Sequence, residues 1–455
     1  MRKTLHAHEL WSLFLEAADD RQIFPPLDRW LSDEFKARGK WIPKDLRDRL
    51  SEEVFAVARF CELALVLEEV FRDLGQGFLW KSRGKLSATK LEAALFAPRK
   101  PLGAGAPKVT FERLAAAQAE GLTTWALLRL GTKVPDSERT KFFEAARPLL
   151  ETSTRIEAQM LWHGFPLAFA EALDARARRS KWNAEKTAEF VKAQAAVSNL
   201  WLRLNDEKHR ELTMAELKGA GLKPVAHVSG AIGVRGRTSI YELEAFKNGL
   251  LEIQDLASQL IGSAVGTMPG DRIWDSCAGE GGKTAQIAAA LQGQGFVYAS
   301  DRSERKLESL KLRMRRAGFS NVRIAAWDGE TLPEFGVEVQ ARKGFDIVLV
   351  DAPCSSSGTW RRNPDLKFRV TSREIADYAE LQFKILSSAA RALKPGGRLV
   401  YGTCSWLAEE NEAVIERFTK AHKEYTLESL AVHGCPDLEA DTMFAAVLRK
   451  AGAII

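Results

Sequence analysis

Hydrophobic positions change their spacing twice along this chain, and the changes divide it into three parts. From Leu10 to about Leu74 apolar residues recur at helical intervals, as in Val54, Val57, Ala58, Cys61, Leu65 and Val70, with Ser51, Glu52 and Glu53 as a start signal. The same period resumes from Phe142 to Leu173, which predicts an all-helical N-terminal domain over residues 1–195. Between Leu200 and Leu243 the pattern is mixed. Short apolar runs, Leu200 to Asn205 and Val225 to Val228, flank a helical stretch from Met214 to Ala220, the outline of a small α+β subdomain over 196–248. After Gly249, short apolar runs bounded by turn residues alternate with helical stretches. Strands are predicted at Arg272 to Asp275, Phe296 to Ser300, Val322 to Ala325, Phe345 to Val350 and Arg398 to Tyr401. Helices are predicted at Lys283 to Leu291, Ser303 to Ala317 and Arg373 to Leu393. Such alternation implies right-handed crossovers and an α/β, doubly wound, mostly parallel sheet over 249–455, with ligands at the carboxyl ends of its strands.

A length of 455 residues agrees with roughly two or three domains. Lys and Arg total 66 against 60 for Asp and Glu, a net charge of +6 that admits a polyanionic partner without demanding one. Cys61, Cys277, Cys354, Cys404 and Cys435 are scattered without paired metal-ligand spacing, so no metal site is expected, and a reducing cytoplasm suits them better than a disulfide framework. No apolar run approaches a membrane span, and the first residues lack a signal core, which points to a cytoplasmic protein. Two basic stretches bear on a phosphate backbone: the punctuated connector Pro98 to Lys108, and Arg176, Arg178, Arg179 and Lys181. A solvated loop and an ordinary charged helix face are the plainer readings of each.

The turn Cys277-Ala278-Gly279-Glu280-Gly281-Gly282-Lys283 follows the first predicted strand of the sheet and opens a helix, so its backbone amides can approach the negative end of a ligand. It is not a phosphate-binding loop of the nucleotide triphosphatases, because Cys277 stands at the leading glycine position. Nor is it a dinucleotide fingerprint, since Thr284 takes the place of the last glycine. Asp301 ends the second strand about twenty residues further on, where a carboxylate can accept from both ribose hydroxyls. Asp328 follows the third strand, where it could receive an adenine amino group, and Asp351 ends the fourth. Each alone could be a helix cap. Together they describe a cofactor with a carboxylate and a nucleoside, and S-adenosylmethionine satisfies the set without a phosphate site.

Two cysteines sit at neighbouring strand ends, in Asp351-Ala352-Pro353-Cys354-Ser355 and in Thr403-Cys404-Ser405. A lone buried cysteine is usually inert, and Cys61 and Cys435 are read that way. Paired thiols beside a methyl donor suit a pyrimidine. Carbon 5 of a cytosine is too weak a nucleophile until a thiolate adds to carbon 6, and loss of the carbon 5 proton later expels the thiol. The adding cysteine must ionise, against an ordinary thiol pKa of about 8.5. Asp351 can hold or donate a proton at the pyrimidine N3.

Asp275 to Thr284, Asp351 to Gly358 and Thr403-Cys404-Ser405 resemble the motifs of the RsmB-like (Sun/Nop/Fmu) RNA cytosine-C5 methyltransferases. Glu252 to Ser258 and Leu202-Arg203-Leu204-Asn205 are similar to further signatures of that family, so the resemblance runs from about Trp201 to Lys450. It implies a class I methyltransferase-type fold, an RNA-binding role for the α+β subdomain, and a position for the helical third like that of a NusB-like domain. It also implies that Cys404 is the nucleophile and Cys354 assists product release; Asp351, from its chemistry, is the third expected catalytic group. The cofactor positions it implies are Cys277 to Lys283 with Asp301, Asp328 and Asp351. Ribosomal RNA is the expected substrate ahead of transfer RNA, and a monomer is expected; a ribosome assembly factor that lost turnover is the alternative from another class. Two departures stand out: Glu280 occupies a position where the family commonly has Pro, and Ala440 to Phe444 matches the closing strand only approximately. Arg361, Arg362, Lys367 and Arg369, beside Trp360, could grip phosphates next to a base drawn into the site. Arg305, Lys306, Lys311, Arg313, Arg315 and Arg316 are read as a solvated helix face.

Overall fold

The computed structural model describes residues 5–17, 25–39, 42–75, 88–97, 114, 118–196, 198–235 and 239–452; the connector Pro98 to Lys108 lies outside the described residues. The chain divides into a helical unit, residues 1–197 with 360–374, and a second unit, residues 198–359 with 375–455.

In the helical unit, helices such as Lys44–Arg59, Ala119–Arg129 and Ser137–Glu151 pack around the almost wholly buried helix Cys61–Val70, in a core containing Trp11, Phe14, Val57, Leu67, Trp125 and Phe142. Asp136 caps the last of these by accepting from the backbone of Glu138 and Arg139. Glu68, 1% exposed, is held inside by Trp125 Nε1 at 2.8 Å and by Arg139 at 2.9 Å. The basic run breaks up here: Arg176 is fully buried and Arg178 pairs with Asp174, so it is not one exposed stripe.

Residues 360–374, assigned from the sequence to the catalytic domain, pack in the helical unit. Trp360 is fully buried against Phe165 and Phe169. Lys367 donates to the Gly164 carbonyl at 2.6 Å, and Asp365 accepts from the backbone of Leu27. Arg361 and Lys367 are 3% and 1% exposed, which corrects the expectation that they grip phosphates.

The second unit holds two sheets. Strands β1 (Leu200–Leu204), β2 (Lys223–Ala226), β3 (Ile232–Arg235) and β4 (Leu251–Ile253) form an antiparallel sheet in the order β2-β3-β1-β4. Here β4 lies just past residue 248, where the subdomain was expected to end. Strands β5 (Arg272–Asp275), β6 (Phe296–Asp301), β7 (Val322–Ala326), β8 (Phe345–Asp351), β9 (Leu393–Thr403), β10 (Tyr425–Gly434) and β11 (Thr442–Lys450) form the large sheet, ordered β10-β11-β9-β8-β5-β6-β7. From β9 through β7 neighbours are parallel, and β11 is antiparallel to both its neighbours, the class I methyltransferase arrangement expected from the motifs.

Alternation along the strands builds a core on each face. Val348, Val350, Leu399 and Tyr401 point to one side, while Ile347, Leu349 and Val400 point to the other. The basic helix Glu304–Arg316 is only partly a solvated face. Arg313 and Arg316 pair with Glu252 of β4, itself 2% exposed, and Arg316 stacks 4.0 Å from the Phe246 ring. That cluster ties the small sheet to the large one.

Candidate active site

Because β5 to β9 run parallel, their carboxyl ends share one edge of the sheet, and Asp275, Asp301, Asp351 and Thr403 are the last residues of β5, β6, β8 and β9. Register does the rest. Asp351 lies opposite Gly402, so Cys354 and Cys404 leave adjacent strands within three residues of that pair. The loop after Cys354 folds back until the Gly358 amide donates to the Cys404 carbonyl at 3.0 Å. A Cβ at Gly358 would lie 1.7 Å from the Thr442 carbonyl oxygen, so only glycine permits this approach. The two sulfurs stand 3.2 Å apart, and Cys404 Sγ is 3.4 Å from Ser356 Oγ.

Both thiols open onto a cavity of about 530 Å³, within the size range of small-molecule sites. Its wall includes Cys277, Ala278, Gly279, Glu280, Gly282, Lys283, Asp301, Asp328, Asp351, Cys354 and Cys404. Of the residues expected from the sequence, Gly281 is the exception. It caps the helix Gly282–Ala290 with φ at 84°, and a Cβ there would meet Leu310 Cγ at 2.8 Å, so its role is to pack the turn. Ser258, Arg302, Lys306, Trp327, Tyr378 and Ile385 are also in the wall, and no spacing or motif had singled them out for it.

The carboxylates divide their work. Asp301 accepts from the Gly279 amide at 3.0 Å and the Ser303 amide at 2.9 Å, so it clamps the glycine turn while facing the cavity. Asp328 is exposed and accepts from the amides of Glu330 and Thr331, which hold its carboxyl below the usual range. Asp351 receives the Lys283 ammonium at 2.8 Å. Burial alone would lower the Lys283 pKa, but the Asp351 carboxylate more than offsets it and the net shift is upward, so the pair is ionic. Asp275 accepts from Thr284 at 2.7 Å, and its other oxygen is buried without a partner. Burial pushes its carboxyl up to about 7.

The thiols are unequal. A hydrogen bond from Cys354 lowers the Cys404 pKa against the opposing effect of burial, and Ser356 adds to it. Cys354 is correspondingly raised by that same contact and by burial. Of the two, Cys404 is the thiol that its surroundings favour as the thiolate, and Cys354 the one they favour as the protonated partner. Burial also raises the Cys277 thiol, which keeps it neutral.

Residues 264–448 match the family model of the 16S rRNA methyltransferase RsmB/F. That region resembles an RsmB-like methyltransferase domain. Probable ribosomal RNA small subunit methyltransferase B of Synechocystis sp. is 37% identical over 218 residues, 48% of this chain and 47% of that protein. Ribosomal RNA small subunit methyltransferase B of Enterobacter sp. is 35% identical over 265 residues, 58% of this chain and 59% of that protein. The chain therefore spans about half to three fifths of the length of these curated relatives. Among solved structures, PH0851 superposes with a TM-score of 0.66 at 22% identity, covering 99% of this chain and 100% of that one. NSun6 from Pyrococcus horikoshii, solved with SFG, gives 0.54 at 22% identity over 62% of this chain and 98% of its own. At such identity these two likenesses are likenesses of fold. The RsmB-like domain includes both thiols and the glycine turn, and among the described residues no helix is long and apolar enough to cross a membrane.

Proposed function

We propose that the protein transfers a methyl group from S-adenosylmethionine to carbon 5 of a cytosine in RNA, with ribosomal RNA as the substrate class, through a covalent bond between Cys404 and carbon 6. The observation that carries this reading is the 3.2 Å pair of unequal thiols in the wall of the cavity that the glycine turn also lines. The names of the RsmB/F family model and of the curated relatives support RNA, and ribosomal RNA in particular. The cytoplasm is the expected compartment.

The donor set suits the cofactor. Amides of the turn from Cys277 to Lys283 would meet its charged amino acid end, Asp301 its ribose hydroxyls, and Asp328 its adenine amino group. That NSun6 was solved with the S-adenosylmethionine analogue SFG agrees with this. S-adenosylmethionine, when bound, supplies an electrophilic methyl group on a sulfonium.

The chain's own residues would do the rest. The Cys404 thiolate adds to carbon 6, and the displaced electron pair is taken up by a proton relayed from the Lys283 ammonium through Asp351 to N3, a proton that returns to Lys283 by the same route once the ring double bond re-forms. Carbon 5 is then nucleophilic enough to accept a methyl group. Once Cys404 is bonded to carbon 6 it no longer bears the charge that opposed ionisation of Cys354. Cys354 then loses its proton to solvent, takes the carbon 5 proton, and elimination returns Cys404 as thiolate.

The test combines purified protein, tritiated S-adenosylmethionine and RNA from a strain lacking the gene. Wild type is expected to place label in 5-methylcytosine, Cys404→Ala to place none, and Cys354→Ala to accumulate an RNA-protein adduct. An active Cys404→Ala variant overturns the choice of nucleophile, and binding without transfer to any RNA by wild type overturns the reading itself.

A further inference from the structure

We propose that Glu410 is the positioning residue that holds the two thiols in register and keeps the proton on Cys354, a role that rests on the covalent mechanism above. Glu410 is fully buried just past the end of β9, five residues after Ser405 and outside every motif used to recognise the family. It touches neither the cavity nor the reacting atoms. What it touches is the residue after each cysteine.

One carboxylate oxygen, Oε2, accepts from Ser355 Oγ at 2.5 Å and from Ser405 Oγ at 2.5 Å. The other, Oε1, accepts from the Ser355 amide at 2.8 Å and from Gln382 Nε2 at 3.1 Å. Gln382, on the helix Ser372–Ala390, also donates to the Pro353 carbonyl at 3.0 Å, so the Cys354 loop is gripped on both sides of the cysteine. Burial raises the Glu410 carboxyl, and the hydrogen bonds from Ser355, Ser405 and Gln382 work against that rise; as the carboxylate it is acceptor only, with about four lone-pair sites, and here four donors fill them.

That count fixes the hydroxyl protons around it. Both serines must donate to Glu410, so Ser405 Oγ receives the Leu407 amide at 3.0 Å and the Ser357 hydroxyl at 2.9 Å. Ser357 in turn receives the Trp406 amide at 3.1 Å. Every member is directed, and the two thiol-bearing loops are cross-linked through one buried anion. After the Cys404 contact and burial, the same charge further opposes an anion at Cys354. Gln does not replace Glu neutrally: an amide nitrogen at the place of Oε1 faces the Ser355 amide, and one at the place of Oε2 requires both serine hydroxyls to turn from donors to acceptors.

Two readouts separate positioning from bulk stability. In Glu410→Gln, kcat is expected to fall about 10²-fold, as a displaced reacting group does, with the KM for S-adenosylmethionine within about twofold of wild type. Independently of RNA, limiting iodoacetamide followed by peptide mass analysis should modify Cys404 ahead of Cys354 in wild type and lose that preference in Glu410→Gln. Ser405→Ala, which removes one tie and keeps the anion, should lower kcat while keeping the preference for Cys404, and it serves if Glu410→Gln does not fold. Unchanged kcat and unchanged preference in Glu410→Gln, or unchanged kcat in Ser405→Ala, would overturn the proposal. Thiol preference lost in the variant of a wild type that methylates no RNA would leave Glu410 in place and sink the substrate reading alone.

Discussion

Asp275→Asn should stabilise the catalytic unit at alkaline pH and do little in acid. Asp275 is 1% exposed, and burial pushes its carboxyl up to about 7 despite the hydrogen bond from Thr284. In the unfolded chain the group titrates near 3.9. A folded pKa above the unfolded one favours the folded state when the group is protonated, so this contribution is complete below about pH 4 and is lost as pH rises to about 7. The whole penalty is about 4 kcal/mol, three pKa units at 1.36 kcal/mol each, and about 3 kcal/mol of it accrues between pH 5 and 8. Asparagine resembles the protonated acid. Its carbonyl can accept from Thr284, and its NH2 meets the same partnerless space as the acid proton at the free oxygen. The side-chain hydrogen-bond cost is thus common to both and cancels. Hydrogen exchange of the β5 and β8 amides, compared between variant and wild type at each pH, reads the opening free energy of this unit without the helical one. The difference should grow by about 3 kcal/mol in favour of the variant from pH 5 to pH 8. Curves that run parallel across that window would mean that Asp275 is already ionised in the fold and that burial does not control it.

Lys367 gives the opposite pH sign in the helical unit. Burial first, then Arg59, lowers its pKa to about 7, with Glu62, Cys61 and Asp365 opposing. Against an unfolded value near 10.4, wild type loses stability as pH falls from about 10 to about 7, so the melting temperature of Lys367→Met should gain on wild type across that window and run level with it below. A gain that appears only below pH 6 would refute this. Glu252→Gln should loosen the joint between the sheets, because it removes the charge that Arg313 and Arg316 bracket; with those arginines about a quarter exposed, about 2 kcal/mol is expected. Faster exchange of β1 and β4 amides would register it, and a change below about 0.5 kcal/mol would place the joint elsewhere.

Most of the parallel strands were legible because they are buried on both faces, whereas the edge strand β7, half-exposed along its length, was read from its short apolar run between turn residues. Runs such as Phe345 to Val350 have nowhere to sit except inside an α/β sheet, and all five predicted strands coincide with β5 to β9 to within a few residues. The strands that escaped sequence reading lack that signal. Much of β10 is exposed, β3 is four residues long with a glycine in it, and β4 is three residues long. Their pairing comes from neighbours distant in sequence, which no local period encodes. The fate of residues 360–374 was hidden for a related reason. Trp360, Arg361 and Lys367 read as an aromatic among cations, a surface pattern, yet the carbonyls and rings that bury them come from residues 59 and 164–169.

Something similar holds at the site, where residue types were readable and their division of labour was not. Paired cysteines and strand-end carboxylates announce a thiol reaction beside a nucleoside cofactor, but the sequence is silent on which thiol is ionised. Ionisation is a property of the pair's surroundings: a protonated Cys354 and the Ser356 hydroxyl on one side, the Lys283 ammonium opposing the Asp351 carboxylate on the other. Two thiols 3.2 Å apart in a buried setting cannot both be anions at neutral pH, so one proton is shared and the protein's task is to say where it rests. The mutual contact and burial weigh most in that choice, and in the proposal above Glu410 biases it from behind without reaching either sulfur. In a mechanism that needs one cysteine as nucleophile and the other later as base, an asymmetry that Glu410 reinforces, and that weakens when Cys404 bonds to carbon and loses its charge, allows the same pair to serve both steps in order.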